Sequence, residues 1–239
     1  MSRPLSEQLV VVTGAAQGLG AAIARAFAAE GAALGLIDID RAGLEAVGRE
    51  TGGAIAVADL SDPQATRDAL AAVTGGRPVD TLIHNAAILR PEPFAAVGFE
   101  TFRATLDVGL QAGFLLAQGI WEGMRGRGGG ALIFVSSQSG IRGFVDETAY
   151  CAAKHGLEGL SKCLAMEGEA EGILSCTITP GMAMRTPMSE RNYPPELKRT
   201  WVEPDRLAPA FLRIAAERRP DWNGRRLDAW QLSQETETT

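Results

Sequence analysis

Four consecutive apolar residues, Leu9-Val10-Val11-Val12, run straight into Thr13-Gly14-Ala15-Ala16-Gln17-Gly18-Leu19-Gly20, and a helical pattern over 21–30 follows without a gap. A short apolar run closed by glycine reads as a buried strand, and Ile23 and Phe27 then recur at helical spacing. Strand, tight turn and helix start are therefore expected in that order. Glycines let the backbone turn sharply there, and the amides at the helix N-terminus are open to a diphosphate. The Gly-x-x-x-Gly-x-Gly spacing differs by one residue from the commoner dinucleotide fingerprint.

The same alternation continues along the chain. Apolar strands are predicted over 33–37, 53–58, 79–83, 131–135 and 173–178, separated by helices over 41–50, 63–74, 99–125 and 148–170. Short apolar strands alternating with helices predict a single doubly wound α/β domain, its mostly parallel sheet covered by helices on both faces. In such sheets ligands bind beyond the C-terminal strand ends, where Gly14, Asp38, Asp59, Asn85, Ser137 and Pro180 all fall. Asp38 is open to two readings: an acceptor for the hydroxyls of an adenosine ribose, or a solvated turn residue beside Asp40 and Arg41. The first reading favours NAD over NADP, because the carboxylate repels a 2′-phosphate and Ile39 stands where an arginine would help.

At 239 residues, with 46% apolar content, one core suffices. The net charge of −6 disfavours nucleic acid as a partner. No run approaches the length of a membrane span and 1–8 lack an apolar targeting segment, so a cytoplasmic protein is expected. Cys151, Cys163 and Cys176 lack metal-ligand spacing, His84 and His155 are isolated, and no metal site is expected.

Tyr150 and Lys154, four residues apart on the helix over 148–170, share one face. A cation near a phenol favours phenolate, which suits proton exchange with an alcohol or carbonyl.

Over nearly its whole length the chain resembles the classical short-chain dehydrogenase/reductase family. The residues carrying the likeness are the turn from Thr13 to Gly20, Asp59-Leu60, Asn85-Ala86-Ala87, Ser137 thirteen residues before Tyr150, Lys154, and Pro180-Gly181 with Thr186. The resemblance implies an NAD-binding Rossmann-like domain over 1–232 with a seven-stranded sheet, closed by a helix over 206–216 and a strand over 224–232. By composition, the Met-, Arg- and Pro-rich stretch at about 182–203 reads as a substrate flap and the polar, acidic 233–239 as a disordered tail. It implies an NAD(P)-dependent alcohol dehydrogenase or ketoreductase, NAD preferred, acting on a small secondary alcohol or its ketone. Ser137 would hold the substrate oxygen, Tyr150 would exchange its proton, and Lys154 would lower the tyrosine pKa and hold the nicotinamide ribose. Gly14, Gln17, Gly18, Leu19, Gly20, Asp38, Asp59, Leu60, Asn85, Ala86, Pro180, Gly181 and Thr186 would complete the cofactor site with Tyr150 and Lys154. A homodimer or homotetramer is implied, joined through helices bearing Leu106, Leu110, Phe114 and Leu115 on one and Leu157, Leu160, Leu164 and Ala165 on the other.

Three departures stand out. Gly109 occupies the family's catalytic Asn position; one residue is inserted between Gly181 and Thr186; and Leu227-Asp228-Ala229-Trp230 replaces a glycine-ended finish. Gly109 keeps the main-chain carbonyl but not the side-chain brace, so a nucleotide-binding or regulatory protein with impaired catalysis stands as the alternative. Arg90, Arg142 and Arg185 are candidates to flank the substrate site.

Overall fold

The computed structural model describes residues 3–236. Its centre is one sheet of seven strands: β1 (Leu9–Thr13), β2 (Ala33–Asp38), β3 (Ala54–Val57), β4 (Thr81–His84), β5 (Gly130–Val135), β6 (Ile173–Thr179) and β7 (Arg226–Asp228). The spatial order is β3-β2-β1-β4-β5-β6-β7, and every neighbouring pair is parallel. The helices are α1 (Gly18–Ala29), α2 (Arg41–Thr51), α3 (Pro63–Thr74), α4 (Phe99–Leu106), α5 (Ala112–Gly126), α6 (Thr148–Gly168), α7 (Pro187–Asn192), α8 (Ala208–Glu217) and α9 (Ala229–Thr236).

Two apolar layers explain why β1 reads as continuously hydrophobic. Val10 and Val12 face the layer that holds Ile23 and Phe27 of α1 and Phe211 and Ile214 of α8. Leu9 and Val11 face the opposite layer, with Leu70 and Val73 of α3, Leu116 of α5 and Leu157 of α6. A strand covered on both faces has no solvent side to fill with polar residues. Each fully buried side chain of this size contributes roughly 1.5–3 kcal/mol.

The sheet also fixes where a ligand can enter. From β1 the chain winds outward to β2 and β3, then returns to β4 on the other side of β1, with Thr13 paired to His84. The strand order reverses there, opening a crevice beyond the carboxyl ends of β1 and β4.

Three expectations are corrected. The stretch over 99–125 is not one regular helix: between α4 and α5 lies a π-helical turn, Asp107–Gln111, with Gly109 buried inside it. The strand expected over 224–232 ends at Asp228, because Asp228 Oδ1 accepts a hydrogen bond from Gln231 N (3.0 Å) and so caps α9. Ser233–Thr236, expected in a disordered tail, continue that helix. The Ser233 hydroxyl is buried, accepts from Ala210 N (3.1 Å) and faces the Leu207 carbonyl, tying α9 to α8. The last three residues of that expected tail lie outside the described residues.

Candidate active site

The glycine turn is built from the strand outward. Gly18 adopts φ +56°, which L side chains rarely do, and a Cβ on Gly20 would run into the Gly14 carbonyl. The turn is tied to its neighbours by Asn85, whose Nδ2 donates to Thr13 O (3.2 Å) and Gly14 O (3.1 Å). Asp38, at the end of β2, accepts from Ala16 N and Asp40 N, both at 2.9 Å. Each of its oxygens keeps a lone pair for a hydroxyl.

A cleft of about 1190 Å³ runs from this turn to α6. Gly14, Gln17, Gly18 and Leu19 line one end with Asp38, Asp59 and Leu60; Asn85 and Ala86 line its middle; Ser137, Tyr150 and Lys154 stand with Pro180, Gly181 and Thr186 at the other. Gly20 does not line it, being packed under Gly14, so its part is to let the turn close. The residue inserted before Thr186 does not displace it from the turn: a Cβ on Gly18 would meet Thr186 Cγ2 at 3.2 Å. Thr186 caps α7, its hydroxyl accepting from Ser189 N (3.1 Å). The segment from Met182 to Trp201 folds over the cleft, pinned by Arg185 N to Val202 O (2.9 Å) and Asn192 Nδ2 to Leu89 O (3.1 Å). Arg90 and Arg142 line the cleft, whereas Arg185 pairs with Glu203 (3.3 Å) away from it.

At the reactive end, Ser137 follows β5 and its hydroxyl lies in hydrogen-bonding contact with the Tyr150 phenol. Burial pushes the Tyr150 pKa well above its ordinary value; the Ser137 hydrogen bond opposes this, while Tyr193, Glu147 and Cys151 add to the rise. The expectation that Lys154 sets this phenol low is not met here. Lys154 is 2% exposed and its Nζ, 5.4 Å from the Tyr150 ring centroid, donates to Val135 O (2.7 Å). Burial pulls the ammonium down to about 8, with Glu158 opposing.

Behind Lys154 stands His84, fully buried. Thr13 Oγ1 accepts from Asn85 N and Ala86 N, both at 3.1 Å, so its one hydrogen goes to His84 Nδ1 (3.0 Å). This leaves the proton on Nε2. Burial, then the charge of Lys154, lower the His84 pKa to about 3, so the ring is neutral. Its Nε2 lies beside the backbone of Gly109 and Val108 without a regular hydrogen bond to it among the described residues.

Gly109 has a packing reason of its own, because a Cβ there would sit 3.1 Å from the Ala153 Cβ on α6. Asparagine improves helix propensity over glycine by a few tenths of a kcal/mol. Overpacking costs about 1–3 kcal/mol and outweighs it. Gly109→Asn is therefore expected to lower the melting temperature by several degrees, and Ala153→Gly in the same chain to restore part of it. Unchanged melting of the single variant would show that α6 yields freely.

Other groups of the site were not legible from sequence. Glu147 is a buried carboxylate at the start of α6, accepting from Ser139 Oγ (2.8 Å). Glu158 and Arg226 form a pair (3.2 Å) beneath Ser137, whose carbonyl accepts from Arg226 Nη2 (2.9 Å). The i,i+4 step from Lys154 to Glu158 was the one available signal. Among the described residues no cluster suits a metal ion, and no helix is long and apolar enough to cross a membrane.

Nucleotide binding fits these residues. Gly18 and Leu19, at the start of α1, face the cleft as the first-turn amides of a helix, and Asp38 stands one strand away. Comparison with known proteins agrees. The model of short chain dehydrogenases matches residues 8–196. D-threitol dehydrogenase of Mycolicibacterium smegmatis is 36% identical over 188 residues, covering 75% of this chain and 72% of its own. L-xylulose reductase of Bos taurus is 32% identical over 216 residues, covering 90% and 84%. The crystal structure of L-sorbose reductase from Gluconobacter frateurii, in complex with NADPH and L-sorbose, superposes with a TM-score of 0.83 at 25% identity, covering 95% of this chain and 97% of that one. Sheet order, glycine turn and family match together place this chain in the short chain dehydrogenase family.

Proposed function

We propose that the protein is an NAD-dependent oxidoreductase that interconverts a polyol and its ketose, with Tyr150 as the acid/base. The observation that carries this reading is the convergence of Ser137, Tyr150 and Lys154 on the cleft that begins at the glycine turn and Asp38. The substrate class is supported by relatives named for threitol, xylulose and sorbose. NAD is preferred because a 2′-phosphate would meet the Asp38 carboxylate, although L-sorbose reductase was crystallised with NADPH.

When bound, a nicotinamide supplies the hydride acceptor for alcohol oxidation and the hydride donor for carbonyl reduction. The chain's own residues handle the oxygen and its proton. Ser137 and Tyr150 hold the substrate oxygen between them. With its pKa raised by burial, Tyr150 rests as the neutral phenol and is ready to donate a proton to a carbonyl oxygen. Oxidation runs the other way, the hydroxyl proton passing to phenolate. Lys154, at about 8, is mostly charged at neutral pH and has N–H groups left for ribose hydroxyls. Of the helix residues expected at a homodimer or homotetramer interface, Leu115, Leu157 and Ala165 are buried in the protein's own core and Phe114 is 44% exposed, so the assembly rests on the family resemblance and on Phe114.

The test is a panel of four- to six-carbon polyols and ketoses assayed in both directions with NAD(H) and NADP(H). Ketose reduction is expected to hold through neutral pH and polyol oxidation to rise on its alkaline side. The kcat/KM with NAD should exceed that with NADP at least tenfold, about 1.4 kcal/mol. Preference for NADP would remove Asp38 from the cofactor reading. No turnover of any polyol or ketose, despite NAD binding, would favour the nucleotide-binding alternative.

A further inference from the structure

We propose that Glu147 selects the substrate: its carboxylate accepts a hydrogen bond from a second hydroxyl of a neutral polyol or ketose, next to the carbon whose oxygen Ser137 and Tyr150 hold. The inference rests on the functional reading above and deepens it to specificity. Glu147 is 8% exposed and lines the cleft. Its Oε2 accepts from Ser139 Oγ (2.8 Å); that hydroxyl in turn lies 3.3 Å from Ser137 Oγ. The carboxylate is thus within two hydrogen-bond lengths of the catalytic serine, close enough for adjacent hydroxyls of one sugar chain to reach both. Oε1 has no hydrogen-bond partner among the described residues, and no Lys or Arg pairs with the side chain there. Arg142, the nearest cation in sequence, is instead stacked over the Phe144 ring at 4.8 Å.

A carboxylate this buried is costly unless something satisfies it. Part of its cost is offset by its place at the N-terminal end of α6, the positive end of the helix. The rest is met when substrate arrives, because a hydroxyl donating to a carboxylate makes a charge-assisted bond in a sheltered site. Glu147 lines the same cleft as Tyr150 and Tyr193, and its charge helps to raise the pKa of both phenols. The same negative charge disfavours a carboxylate or phosphate at that position, so the selected substrate is uncharged there.

The experiment compares 2-butanol, 2,3-butanediol and a four-carbon tetritol, with 3-hydroxybutyrate as the anionic probe, on wild type and Glu147→Gln. Both proteins are first checked for equal melting temperature and NAD affinity. Glutamine keeps the size of the side chain and removes its charge. Any change this makes at Tyr150 moves all alcohols alike, so the ratio of kcat/KM between polyol and 2-butanol isolates the second hydroxyl. In the wild type that ratio is expected to rise with hydroxyl count. In Glu147→Gln it should fall roughly ten- to a hundredfold, while 3-hydroxybutyrate gains relative to the tetritol. A ratio unchanged within about twofold, with polyols still turned over, overturns the role of Glu147 and leaves the proposed function standing. Failure of the wild type on every polyol overturns both. Should Glu147→Gln melt early, Ser139→Ala is the second variant: it removes the tether, and the ratio is expected to fall less than in Glu147→Gln; an equal or larger fall would assign the effect to the loop rather than the carboxylate.

Discussion

Replacing Tyr150 by phenylalanine is expected to lower kcat at least 100-fold, roughly 3 kcal/mol of barrier, on any substrate the wild type accepts. The phenol is the one group in contact with Ser137 that can exchange a proton with the substrate oxygen. Ser139 has a hydroxyl nearby but its hydrogen goes to Glu147, and Lys154 is turned to Val135 O. No second acid stands ready. The ring itself remains in Phe, so its contact with Lys154 is kept and the melting temperature should change little. Initial rates in both directions, with circular dichroism as the control, check the outcome. Equal rates in wild type and variant would mean that Tyr150 is not the acid/base.

What the sequence disclosed and what it hid divide along one physical line. Strands and helices were legible because both faces of the sheet are covered, so runs such as Val10-Val11-Val12 are apolar throughout, and each ends at a residue facing the crevice. Pro63 at the head of α3, capped by Asp62, fixed that helix without tertiary information. The π turn at Gly109 was invisible because side-chain periodicity hardly changes across five residues; the Ala153 contact that occupies the space of a side chain is long-range. The Asp228 cap was legible in principle, since Asp three residues before Gln231 ahead of Leu232 is a helix-start pattern. The closing strand that the family resemblance implies over 224–232 masked it. Glu147, His84 and Arg226 were hidden for a different reason. Ser139 reaches Glu147 only when the intervening loop folds back, and Arg226 reaches Ser137 only because β7 pairs beside β6. Sequence spacing carries the chemistry of Ser137, Tyr150 and Lys154, but not the sheet order that gives them neighbours.

That sheet order makes the pair of Glu158 and Arg226 the most sensitive support of the site. Glu158 is 8% and Arg226 21% exposed, and Glu158 also accepts from Ser136 Oγ and from Thr177 Oγ1 (2.8 Å). A buried ion pair is weak evidence of net stability, because desolvation consumes most of its attraction. Breaking one is different: the remaining charge is left buried without a partner. Glu158→Leu is therefore expected to cost about 3–5 kcal/mol in urea unfolding at pH 7. Arg226→Leu should cost less, because the Glu158 it strands keeps its two hydroxyl donors. The double variant leaves neither charge stranded, so its loss should be smaller than the sum of the single losses by 1 kcal/mol or more. Activity should not recover with stability. Ser137 O loses its Arg226 donor in the double variant as in Arg226→Leu, and Lys154 loses the neighbouring charge that opposes its burial. Additive single losses would show that the two side chains stabilise the fold separately, and wild-type kcat in the double variant would show that Ser137 is held without them.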